Sequence, residues 1–133
     1  MLNGSCLCGS IRYEIDGELG QIIKCHCTKC RKASGSAFAT NAIVETANFR
    51  FVGDQTTLAE FESMPGVIRV FCRQCGSPLL SRRPATPDII RVRIGTLDST
   101  IAGKPAVHIF VGSKAEWDDI NDELPQYAER PVQ

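Results

Sequence analysis

The sequence predicts a mainly β domain of short strands with little helix, and three observations carry that expectation. Short runs rich in β-branched and aromatic residues recur along the whole chain, with glycines between them. Only one stretch reads as helix, and only for one or two turns. At 133 residues, with no repeat and no linker, the chain fits a single domain over 1–133 built on one core.

Taken in order, IRYEI (11–15) alternates apolar and polar residues and places Ile11, Tyr13 and Ile15 on one face. QIIKC (21–25) is a short strand. TKCRKA (28–33) is the helical stretch, with Thr28 as its cap and Gly35 as its stop. SAFATNAIV (36–44) and NFRFV (48–52) read as strands, while TLAEFES (57–63) is open between helix and strand. VIRVFC (67–72), PLLS (78–81), IIRVRI (89–94) and VHIFV (107–111) bring the set to roughly eight strands. Turns are expected at Gly17, Gly20, Gly53, Gly66, Gly95 and Gly103. The polar tail, SKAEWDDINDELPQYAERP, reads as an irregular arm with a helical turn.

Charge and hydropathy exclude more than they select. Lys+Arg and Asp+Glu number 15 each, so the whole chain offers no field for nucleic acid or a membrane surface. No apolar run approaches the ~20 residues of a membrane span. MLNGSCLCGS lacks the basic and apolar regions of a signal peptide, which makes the cytoplasm the expected compartment. There, seven cysteines point to metal ligation rather than disulfides.

The cysteines form three groups: Cys6 and Cys8; Cys25, Cys27 and Cys30; Cys72 and Cys75. CRQCG (72–76) is a C-x-x-C knuckle and CLCG (6–9) a C-x-C variant, each closed by a glycine that can take positive φ. Two knuckles complete a tetrahedron, so the economical partition gives Cys6, Cys8, Cys72 and Cys75 one structural ion. That leaves Cys25, Cys27 and Cys30 as three ligands with an open fourth position, the layout of a catalytic zinc. A water or a substrate thiol could coordinate there and be held deprotonated near neutral pH.

His26 lies inside the triplet, but between two cysteines at C-x-C spacing it points the opposite way along an extended chain. It reads as a neighbour of the site or a surface residue rather than a ligand. His108 reads as a satisfied core or surface histidine. An iron–sulfur cluster is disfavoured because clusters generally take four thiolates. Lys24, Lys29, Arg31 and Lys32 would offset the charge of a metal–thiolate centre, and the last three could also attract an anionic thiol. The acidic run Asp118, Asp119, Asp122 and Glu123 reads as solvated surface.

Through GSCLCGSIRY (4–13), CHCTKCRKASGSAF (25–38), FCRQCGSPL (71–79), GTLD (95–98) and HIFVGSKAEWDDINDELPQY (108–127), the chain resembles the glutathione-dependent formaldehyde-activating (GFA) enzymes. The resemblance implies a β-rich Mss4-like fold, two sheets of short antiparallel strands pinned by zinc. It implies a structural ion on Cys6, Cys8, Cys72 and Cys75 and a catalytic ion on Cys25, Cys27 and Cys30. The implied chemistry is that of a carbon–sulfur lyase, condensing glutathione or a similar small thiol with formaldehyde or another aldehyde, with no nucleic-acid or membrane partner. The main rival is a non-catalytic module with two structural zincs that binds a protein, since fold alone does not decide function.

Overall fold

The computed structural model describes residues 1–131 and contains ten strands and one α-helix. The strands are β1 (Leu2–Ser5), β2 (Arg12–Ile15), β3 (Ile22–Cys25), β4 (Ala39–Glu45), β5 (Phe49–Val52), β6 (Leu58–Met64), β7 (Val67–Cys72), β8 (Pro78–Arg82), β9 (Ile89–Arg93) and β10 (Val107–Ile109); α1 is Thr28–Ser34. They form a three-stranded sheet in the order β1-β2-β5 and a seven-stranded sheet in the order β10-β3-β4-β9-β8-β7-β6. Every named pairing is antiparallel except β10 with β3, which is parallel. No helix among the described residues is long and apolar enough to cross a membrane.

Alternation gives the large sheet two chemically different faces. Ala42, Val92, Leu80 and Val70 stand side by side across β4, β9, β8 and β7. They are buried, and Val92, Leu80 and Val70 pack with Ile11, just before β2, and with Tyr13 and Ile15 of the small sheet in the main core. The neighbouring row, one residue along, is Ile43, Arg91, Ser81 and Arg69. One face therefore closes the apolar core, and the other presents guanidinium groups.

Four details correct or complete the sequence reading. β1, whose sequence LNGS has no β-branched residue, becomes a strand because β2 offers it a complete ladder. TLAEFES resolves as strand β6, pairing with β7 at the edge of the sheet. The helix cap is Cys27 rather than Thr28: the Cys27 sulfur accepts the N–H of Cys30, and Gly35 ends the helix at φ 65°. The tail, an arm after a 3-10 turn at Val111–Ser113, makes one turn closed by Asp118 N–H on the Ala115 carbonyl. It then runs alongside β10, His108 N–H donating to Pro125 O (2.9 Å) and Tyr127 N–H to His108 O (3.0 Å).

Candidate metal centres

Cys6 and Cys8 lie in the turn after β1, Cys72 ends β7, and Cys75 lies in the turn before β8. Their four sulfurs all fall within 4.8 Å of one another. Sulfurs held at ~2.3 Å on a tetrahedron stand about 3.8 Å apart. The Cys6–Cys8 and Cys8–Cys72 separations are 3.6 and 3.9 Å, so the donors fit zinc. Gly9 (φ 79°) and Gly76 (φ 81°) allow both turns to close, each donating its N–H to the carbonyl of the first cysteine of its knuckle. Burial opposes ionisation of Cys72, but the hydroxyls of Ser10 and Thr57 and the N–H groups of Cys75 and Gln74 outweigh it and bring the thiol down to about 5. The Ser77 hydroxyl likewise brings Cys75 down to about 7. Cys72 and Cys75 are thus inclined toward the thiolate form that a cation binds, whereas Cys8 is shifted up.

Cys25 ends β3, Cys27 caps α1 and Cys30 lies in its first turn. The extended chain at 25–27 returns alternate side chains to one side, and the helical turn carries Cys30 back to them. These sulfurs also lie within 4.8 Å of one another, and no fourth His, Cys, Asp or Glu among the described residues joins them. Hydrogen bonding from Cys25, then Cys30, holds the Cys27 thiol far below its ordinary range. The same cluster contacts, with burial, push Cys25 up.

His26 points away from this cluster, as its position in C-x-C requires, but it is fully buried rather than on the surface. Its Nε2 lies 2.8 Å from Nδ1 of His108, whose Nε2 lies 3.0 Å from both carboxylate oxygens of Asp122. A carboxylate only accepts, so His108 donates through Nε2 and accepts the Nε2–H of His26. Asp122 is therefore not merely solvated surface; the arm brings it to a buried imidazole. Burial is the main cause that lowers the pKa of His26.

A family model described as "Glutathione-dependent formaldehyde-activating enzyme" matches residues 1–113. The chain belongs to the GFA family. Two proteins, from Aspergillus flavus and Aspergillus oryzae, are each 24% identical over 125 residues and are each named "Putative glutathione-dependent formaldehyde-activating enzyme". The match covers 92% of this chain but spans only 56% of the length of those relatives. A crystal structure of a Rhodobacter sphaeroides protein shares the fold, with a TM-score of 0.63 at 23% identity over 77% of this chain and 96% of that one.

In this GFA-family chain the cations adjacent to the triplet in sequence have other contacts or face solvent. Lys24 sits over the ring of Phe38, Arg31 donates to the Ser113 carbonyl (3.0 Å), and Lys29 and Lys32 are exposed. The charge close to the thiols comes from β7 and β9. Arg69 Nη2 is 3.8 Å from Cys30 Sγ, and buried Arg93 is near enough to feel all three cysteines. Sequence reading passed over these arginines, although the alternation in IIRVRI places Arg91 and Arg93 on one face. A shallow depression of about 210 Å³ beside α1 is lined by Thr28, Arg31, Lys32 and exposed Trp117. A larger one of about 270 Å³ lies on the small sheet, lined by Tyr13, Arg12 and Asp98, and includes no cysteine.

Proposed function

We propose that this chain is a zinc-dependent enzyme of the carbon–sulfur lyase type, joining a small thiol to an aldehyde or releasing both from their thiohemiacetal. One contrast carries the proposal: four sulfurs complete one cluster, whereas Cys25, Cys27 and Cys30 gather with no fourth protein donor among the described residues. Three thiolates leave one tetrahedral position for a substrate. When bound there, zinc supplies a site that lowers the pKa of a thiol. Glutathione and formaldehyde are the pair that the family description and the names of the Aspergillus proteins suggest.

The chain's own residues position and balance the charge. Helix α1 fixes Cys27 and Cys30 one turn apart, and Arg69 offsets negative charge at Cys30. In the forward direction a C–S bond forms as the carbonyl π bond opens, and the thiol proton ends on the carbonyl oxygen. The reverse reaction returns that proton to sulfur. Cys6, Cys8, Cys72 and Cys75 would hold a second zinc with a structural role.

Zinc content and turnover of Cys27→Ser test this. Serine caps a helix as well as any residue, so the variant should fold, lose one of two zincs, and lose turnover of glutathione with formaldehyde. Full turnover in that variant would overturn the proposal. Two zincs that chelators cannot separate, together with no turnover of any thiol and aldehyde, would favour a non-catalytic protein-binding module.

A further inference from the structure

The outer face of the seven-stranded sheet carries charge that the described chain does not balance. Arg91, Ser81 and Arg69 form one row across β9, β8 and β7, and Arg93 stands beside Asn41 one alternation further along β9. Arg83, just past β8, completes the group. Burial, then neighbouring positive charge, pulls the Arg91 guanidinium down, and Arg83 is among those neighbours. Arg93 is only 7% exposed.

Arg93 Nη1 donates to the Arg91 carbonyl (3.4 Å), but Arg69 and Arg91 are poorly satisfied. Nε and Nη1 of Arg69 and Nη1 of Arg91 are buried with no hydrogen-bond partner. Among the described residues, none of the four arginines pairs with a carboxylate. Buried guanidinium donors are seldom left this way, and those without an acceptor in the chain are directed at something that supplies one. The thiol cluster cannot be the whole answer. A divalent ion on three thiolates carries a net charge of −1, against four guanidinium charges.

We propose that Arg69, Arg83, Arg91 and Arg93 form a carboxylate-binding subsite beside the three-cysteine cluster, and that the thiol taken by this protein carries at least one carboxylate. The proposal rests on the thiol reading given above and adds the class of thiol. A guanidinium fork matches a planar carboxylate through two parallel N–H···O bonds. Arg69 bridges the two sites: one terminal nitrogen faces Cys30 at 3.8 Å while Nε and Nη1 remain free. A single small molecule can therefore place sulfur at the cysteines and an anionic end on the sheet. A nucleic-acid strand would need exposed cations, and these are largely buried.

Calorimetry on the zinc-loaded full chain separates the two ideas. The probes are 3-mercaptopropionate, its uncharged analogue 3-mercapto-1-propanol, glutathione, S-methylglutathione and inorganic phosphate. The carboxylate should bind about tenfold or more tightly than the alcohol, since a charged hydrogen-bonded pair is at stake. Arg91→Gln, and Arg83→Gln at the more open end, should each erase most of that ratio and leave the alcohol unchanged, while Lys104→Gln changes neither. A wild-type ratio near one, which needs no variant to measure, would overturn the subsite while leaving thiol binding standing. Phosphate displacing 3-mercaptopropionate at equal affinity would overturn the assignment to carboxylates. S-methylglutathione binding as tightly as glutathione, and still lost in Arg91→Gln, would support the subsite and overturn the thiol reading.

Discussion

A side chain at position 4 would enter the ring of Tyr13. A Cβ there stands within 2.6 Å of Tyr13 Cε1 and closer still to Cζ and Oη. Tyr13 cannot yield, because it is 1% exposed and its hydroxyl donates to Thr96 Oγ1 (2.6 Å), which in turn donates to the Arg93 carbonyl (2.8 Å). Gly4→Ala is therefore expected to cost ~1–3 kcal/mol in urea melts; a change under about 0.5 kcal/mol would contradict this packing. Burial pushes the Tyr13 phenol up from 10.0 to about 12. The unfolded chain therefore ionises first, so this stabilisation is whole below pH 10 and is lost as pH rises to about 12. The loss amounts to ~2–3 kcal/mol. The stability difference between wild type and Tyr13→Phe should shift by that amount across pH 10–12; a constant difference would mean the phenol is not held neutral.

At the scale of elements, the C-terminal arm is tied to the knuckle through side chains. Asp122 on the arm, His108 on β10 and His26 between Cys25 and Cys27 make one hydrogen-bonded line. His108→Ala would leave the Nε2–H of buried His26 without an acceptor, at ~1–3 kcal/mol. Asp122→Asn should cost less, because its amide oxygen still accepts from His108 Nε2. Hydrogen exchange at the Tyr127 amide, which donates to the His108 carbonyl, should speed up in both, and more in His108→Ala. Unchanged exchange in both variants would show that the backbone ladder alone holds the arm. Much of the element inventory was legible because β-branched alternation marks β2, β7 and β9 directly. β1 and β6 were not, since LNGS has no strand signal of its own and LAEFESM mixes apolar and polar residues on both faces of an edge strand. The line from Asp122 was hidden for another reason: an acidic residue in a polar tail reads as solvated until the fold brings a buried histidine to it.

For the whole molecule, legibility follows how far apart in sequence the partners lie. Both thiol clusters were readable because their knuckles are local, and only the joining of two knuckles across 64 positions had to be inferred. The arginine face was not readable, because β7, β8 and β9 each contribute part of it and only the sheet order brings them beside Cys30. The same geometry assigns the clusters different mechanical duties. Cys6 and Cys8 follow the first strand of the small sheet, and Cys72 and Cys75 belong to the large one, so a metal there clips the two sheets together. Cys25, Cys27 and Cys30 lie within six residues of one another at one end of β3 and clip nothing distant. Losing the first ion should thus remove folding free energy that the unfolded chain cannot recover, whereas losing the second should not. Cys72→Ser is expected to lower stability by more than about 3 kcal/mol or to leave the chain unfolded, and Cys27→Ser by no more than ~1 kcal/mol. Urea melts paired with zinc counts on the same samples measure both, and equal losses in the two variants would refute this division of labour.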